Sequence, residues 1–346
     1  MKKRVVATLL MLAMATTLVV GCGDSKGEKT EKGENKTEAS TTTELQKLTV
    51  SEPVRGILWA PVYVAKELGY FEEEGLDVDI AAIQSDMPSA PVMAGEAQIG
   101  LWGPEMVCKL VQDGQDIQLF YTCTDKYPFS FFLAKDINSV EDLKGTAVNA
   151  AISGSSPRAY VRSILRNAGL DADGDATYVN MKNSAVLAAL ESGEIKATYA
   201  TPELSAQLIE AGYEPTIDIH KPEVHKEIIG SETYEMYICY AKKSYIDENP
   251  ETIQHFVNAC YKAAQYLDKS SIDDIVKTLK DPFQGMENLE QVVKECKDFW
   301  SPDGLFTDSG VKAINNMAKE AGLITEDVDR AALINETFVE KAAGQK

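Results

Sequence analysis

The sequence predicts an α/β protein of two similar lobes, each a mostly parallel sheet flanked by helices. Strand-like and helix-like stretches alternate from Leu48 to about Ile219, the order that crossover helices impose on parallel strands. A faint repeat runs through this region. Gly95-Glu96 recurs as Gly193-Glu194 and Pro104-Glu105 as Pro202-Glu203, both at an offset of 98 residues. In each copy a helix stops at Gly, a short strand follows, and Pro opens the next helix. Punctuation shared by all β-α-β chains is the competing explanation. Past 237–241 the pattern becomes helical.

The chain opens with Lys2, Lys3, Arg4 and an apolar run over 5–20, the layout of an export signal. That run is shorter than the roughly 20 residues of a membrane span. Val19-Val20-Gly21-Cys22 resembles the lipobox of bacterial lipoproteins. The resemblance implies a signal peptide at 1–21, cleavage before Cys22 and diacylglycerol on its sulfur, with acyl chains that hold the protein to the outer face of the cell membrane. Residues 22–46 are mostly Lys, Glu, Gly, Ser, Thr and Asn, the composition of a disordered tether about 25 Å in reach.

The folded body starts near Leu48. Within 54–80 the pattern reads strand end, loop, helix, turn, strand: Pro61 suits a first helical turn, Gly69 stops the helix, and 76–80 alternates like a half-buried strand. Trp59 lies in the loop at the carboxyl end of the first strand, where open α/β sheets hold ligands. Strong strand runs follow at 129–134 and 146–149, with a lobe boundary between them near 140–145. The resulting division is lobe I from 47–136 plus 243–346 and lobe II from 137–242. Pro250 opens a long helix to 268, and helical spacing recurs over 272–280, 289–300, 309–321 and 330–342. These helices are expected to pack on one lobe.

The formal charge of −20, from 34 basic and 54 acidic residues, argues against nucleic acid as a partner. Five cysteines follow Cys22, an odd number with no C-x-x-C pair, so zinc and dithiol chemistry have no support and burial is their expected fate. His220 and His225 fall in a polar loop and His255 on a helix, so all three are expected at the surface. The motifs G-x-S-x-G, P-loop and H-E-x-x-H are missing. No catalytic residue, metal or cofactor is expected.

Several short stretches together resemble one family: the extracytoplasmic solute-binding proteins of ABC importers, in the group that binds nitrate, sulfonates, taurine and thiamine pyrimidine precursors. They are Pro61-Val62-Tyr63-Val64-Ala65-Lys66, Gly69-Tyr70-Phe71, Glu74-Gly75-Leu76-Asp77-Val78, Gly95-Glu96, Asp142-Leu143-Lys144-Gly145, Gly154-Ser155-Ser156-Pro157, Ala168-Gly169-Leu170 and Asn249-Pro250-Glu251. The resemblance covers nearly the whole folded body. It implies a periplasmic-binding-protein-like clamshell of type II strand order, two hinge crossings near 133–135 and 239–241, and a small solute held between the lobes. It also implies ABC permease transmembrane subunits as partners, with the protein acting as a monomer. A pyrimidine synthase shares the fold, so an exported enzyme is the alternative function, and a ligand-sensing lipoprotein is a third.

Candidate ligand contacts are loops at the carboxyl ends of strands in both lobes. Ser153-Gly154-Ser155-Ser156 exposes backbone N–H groups at a helix start, which attracts anions, and the Ser155 and Ser156 hydroxyls could add neutral donors; in the family the matching loop meets the ligand's anionic or polar head. Trp59 and Trp102 follow strands, and Gly103-Pro104 fixes Trp102 at a corner. Both could sandwich a flat ligand or be ordinary core. Thr201 offers a hydroxyl, Glu203 a partner for an amine or a helix-end acid, and Tyr127 a ring near the first hinge. Arg158, Arg162 and Arg166, spaced i, i+4, i+8, read as a solvated face, with only Arg158 able to reach the cleft.

Overall fold

The computed structural model describes residues 44–83, 85, 87–286 and 288–344. The expected export segment, Cys22 and the tether as far as Thr43 lie outside them. In chain order the first part supplies β1 (Gln46–Ser51), α1 (Ala60–Glu67), α2 (Tyr70–Glu73), β2 (Leu76–Ala81), α3 (Ala90–Ala94), β3 (Ile99–Trp102), α4 (Pro104–Gln112) and β4 (Gln118–Thr122). Then come β5 (Ser130–Leu133), β6 (Thr146–Asn149), α5 (Ser156–Asn167), β7 (Ala176–Val179), α6 (Asn183–Ser192), β8 (Ala197–Ala200), α7 (Pro202–Glu210) and α8 (Pro222–Ile229). The last part is β9 (Ile238–Ala241), α9 (Lys243–Glu248), α10 (Pro250–Lys269), α11 (Ile272–Leu279), α12 (Leu289–Cys296), α13 (Asp308–Glu320), α14 (Arg330–Leu333) and α15 (Thr337–Gly344).

Two sheets result, ordered β2-β1-β3-β9-β4 and β5-β8-β6-β7. In the first, β1 runs parallel to β2 and β3, and β9 runs antiparallel between β3 and β4. In the second, β6 runs parallel to β7 and β8, and β5 closes the edge antiparallel to β8. Four strands of one sheet therefore match four of the other: β1 with β6, β2 with β7, β3 with β8, β9 with β5. The repeat seen in the sequence marks this correspondence. Gly95 and Gly193 both take left-handed backbone at the ends of α3 and α6, a conformation that a side chain would strain. Pro104 and Pro202 then open α4 and α7.

The chain crosses between sheets along 123–129 and 230–237, and the two crossings run side by side. Cys123 N–H donates to the Tyr237 carbonyl at 2.7 Å, and Tyr234 N–H to the Asp125 carbonyl at 2.8 Å. These crossings precede the expected hinges. The sequence division assigns β5 to the first lobe and β9 to the second, whereas hydrogen bonding places each in the other sheet. Apolar alternation reveals a strand but not which sheet an antiparallel strand joins.

A continuous apolar core runs from the first sheet through the crossings to one face of the second. Phe131 joins it, while its neighbour Phe132 joins a smaller cluster with Val186, Leu190 and Leu208 on the opposite face, as alternation along a strand requires. The C-terminal helices do not all keep to one lobe: α12 packs on α7 and α13 on α5. The helix expected over 330–342 is two helices, interrupted where Ile334 bridges to Leu119 of β4. The cysteines Cys108, Cys123, Cys239, Cys260 and Cys296 are all buried and free. No helix among the described residues is long and apolar enough to cross a membrane.

Candidate functional site

Three loops leave the carboxyl ends of parallel strands and meet at the seam between the sheets. After β1 the chain turns into the helical turn Ile57–Trp59; after β3, Gly103 leads into α4; after β6, residues 150–155 lead into α5. With Phe129 from one crossing and Met236 and Tyr237 from the other, they wall a cavity of about 380 Å³, within the size range of small-molecule sites. Among the residues singled out in the sequence, Trp59, Trp102, Gly103, Gly154, Ser155 and Ser156 line it.

Trp59 is 4% exposed. Its benzo edge lies against Gly56, and its ring meets Tyr237 edge to face at 4.7 Å. Its Nε1–H is buried and has no hydrogen-bond partner among the described residues. A buried donor left without an acceptor costs about 1–3 kcal/mol. The mouth is apolar as well: Met87 and Ile152, exposed to 54% and 63%, line it from opposite sides. Beside Ile152, Ala151 has φ of 57°, a left-handed conformation that is uncommon without glycine and marks local strain.

The hydroxyls of Ser155 and Ser156 are already engaged. Ser155 Oγ donates to the Ile152 carbonyl at 2.7 Å, and Ser156 Oγ donates to Tyr127 Oη at 3.2 Å. The start of α5 still favours an anion by typically 0.3–1 kcal/mol, and by about 2 in partly buried geometry. Taking an unpaired ion from water into apolar surroundings costs several kcal/mol, so the helix end alone does not carry an anion into this cavity. No arginine stands among the described lining residues, and Lys109, the lining cation among them, pairs with Asp113.

Glu105, which holds in the first lobe the place of Glu203 in the second, also lines the cavity. It is 4% exposed, and burial pushes its carboxyl above the usual range, opposed by a hydrogen bond from the Tyr234 hydroxyl. The repeat pairs it with Glu203 and favours a plain helix-end acid at both positions; that Glu105 faces the cavity follows only from the packing around α4.

The other candidates lie elsewhere. Tyr127 is fully buried behind the wall, packed on Tyr160, Phe129 and Tyr234. Ser153 is exposed and does not line the cavity. Thr201 accepts from Leu204 N–H as the cap of α7, and from Asn183 Nδ2 at 3.2 Å. Glu203 lines a separate polar groove of about 680 Å³ with Arg55, Glu210 and residues 282–286. That groove is larger but more open and mixes both charges, so the aromatic cavity is the better candidate for a small solute.

Two expectations about charged side chains are corrected. Arg162 and Arg166 do not form a solvated face: Arg162 Nε meets Glu320 of α13 at 3.0 Å, and Arg166 pairs with the same carboxylate. Arg158 lies on the Tyr178 ring at 3.7 Å, away from the cavity. His225 is buried, not superficial, because Nε2 accepts from Tyr127 N–H and Nδ1 donates to the Ser231 carbonyl, both at 2.9 Å. His220 and His255 stay partly exposed, beside Glu295 and Glu74.

The candidate binding protein YtlA of Bacillus subtilis is 24% identical over 87% of this chain and 91% of its own length. A periplasmic sulfonate-binding protein, SsuA, from Methylobacillus flagellatus superposes with a TM-score of 0.67 at 18% identity, over 87% of this chain and 95% of that one. The desulfurization enzyme DszB superposes at 0.64 with 15% identity, over 87% and 99% of the two chains. Both solved structures share the two-lobed, type II periplasmic-binding-protein-like fold. Residues 58–270, more than half of the chain, match the family described as NMT1/THI5 like, and the chain belongs to that family.

Proposed function

We propose that this protein captures a small organic solute outside the membrane and delivers it to an ABC permease. The observation that supports this best is the cavity at the seam, walled by both lobes and both crossings: a ligand there touches every part that moves when the lobes close. The names of YtlA and SsuA agree with this reading. In this reading residues 1–21 direct export, Cys22 carries the lipid, and permease subunits dock on exposed faces of the closed lobes. The shared fold of DszB keeps an enzyme in view. Against it, no histidine or cysteine stands among the described lining residues, and the Ser155 hydroxyl is engaged by the Ile152 carbonyl.

A thermal-shift screen over sulfonates, inorganic anions, pyrimidines and other heterocycles tests the proposal. A ligand at a hundred times its Kd adds about 2.7 kcal/mol of stability. A stabilising compound recovered unchanged after incubation supports capture; conversion of that compound points to the enzyme.

A further inference from the structure

We propose that Glu105 is a positioning residue that transmits the filling of the seam cavity to both crossings, through the hydroxyls of Tyr234, Ser156 and Tyr127. The inference rests on the reading of that cavity as the solute site, and it concerns how occupancy reaches the hinge. Gly103 supplies the first link. It lines the cavity, and its φ of −87° is open to any residue, so its missing side chain serves space and not backbone freedom. A Cβ at Gly103 would stand 2.9 Å from Glu105 Oε2, closer than real side chains come. The carboxyl therefore lies directly against the cavity wall, and whatever presses on Gly103 bears on Glu105.

From Glu105 the contacts branch. The Tyr234 hydroxyl donates to Oε1, and the Ser156 side chain is the carboxyl's other hydrogen-bonding neighbour. Ser156 Oγ in turn meets Tyr127 Oη at 3.2 Å, and the rings of Tyr127 and Tyr234 pack edge to face at 5.2 Å. Each part of the molecule supplies one member. Glu105 lies in the first turn of α4 beside the first sheet, Ser156 in the first turn of α5 beside the second, and Tyr127 and Tyr234 on the two crossings. All four are buried, so none can trade its partner for water, and a shift of one moves the next. A carboxyl has two oxygens and can hold two such partners at once. Glu203, at the matching place in the second lobe, lies on an open polar groove instead.

Gly103→Ala puts a methyl against the carboxyl and so stands in for a solute of unknown identity. Amide hydrogen exchange, read by mass spectrometry on the purified ligand-free protein, follows the response. Gly103→Ala is expected to speed exchange over 123–129 and 230–237 about threefold or more, with β2 and α10 unchanged. In a Glu105→Ala background the methyl has room, and Gly103→Ala is expected to add nothing. A Glu105→Gln background keeps an acceptor for Tyr234 and a polar group for Ser156, and is expected to restore the response. Tyr234→Phe removes one hydroxyl from a residue behind the wall and is expected to silence the response at 230–237; this arm decides the matter where Glu105→Ala folds poorly. No change in the crossings, a uniform rise along the chain, a response that survives Glu105→Ala or Tyr234→Phe, or one lost in Glu105→Gln overturns the inference. Each of these leaves solute capture standing, since the thermal-shift screen decides that separately.

Discussion

His225 ties one crossing to the end of α8, and its ring has no second way to do so. With Nδ1 donating and Nε2 accepting, the imidazole must be neutral, and burial lowers its pKa to about 4. The folded value lies below the unfolded one of about 6.5. Its stabilising contribution is therefore complete above pH 6.5 and is lost as pH falls through 4. Urea melts at pH 7.5 and 4.5 should show the wild type losing roughly 2–3 kcal/mol more than His225→Gln over that interval. Glu235, on the other crossing, behaves oppositely. Burial raises its carboxyl to about 7, Oε1 accepts from Thr307 N–H at 3.0 Å, and Oε2 has no hydrogen-bond partner among the described residues. A folded pKa above the unfolded one means that stability is lost as pH rises through 7. Glu235→Gln is expected to be more stable than wild type by roughly 1–2 kcal/mol at pH 8.5, and little changed at pH 5. The sequence shows neither effect: His225 sits among polar neighbours, and only the packing of distant segments buries it.

At the scale of elements, α5 and α13 carry the clearest electrostatic link between lobes. Glu320 of α13 accepts from Arg162 and Arg166, and the Arg162 and Glu320 side chains are 18% and 20% exposed. The pair joins a helix of the second sheet to one that also packs on α4, so it holds the two lobes together. Glu320→Ala is expected to open the unliganded protein, seen as a larger radius of gyration in solution scattering, and to weaken the Kd of any seam ligand about three- to tenfold. An unchanged radius would count against the link. Most elements were legible in the chain: Pro61, Pro104, Pro202 and Pro250 lie in the first turns of α1, α4, α7 and α10. Interlobe contacts were not, because arginines at helical spacing look alike whether water or another helix covers them. Of the candidate site, the aromatic and glycine positions were readable from strand ends, whereas the engagement of the serine hydroxyls depended on Tyr127 and Ile152.

For the whole molecule, the repeat is the feature that sequence alone left undecided and that matching strand orders now explain. The described residues from 44 to 344 form one compact unit, since α12 and α13 reach across to α7 and α5. Attachment to the membrane is tested by Cys22→Ser. The variant is expected to lose incorporation of labelled fatty acid and to move from the membrane fraction to the medium or periplasm; retention in the membrane would exclude the cysteine as anchor.

The placement of β5 and β9 has a practical consequence. Either half cloned at the cuts suggested by its sequence would lack a partner strand and carry a stray one. The bare backbone edge would invite self-association. Anyone wishing to study one half alone would need to splice in the missing strand from the opposite side of the gene, much as a zip cannot be repaired using teeth from one tape.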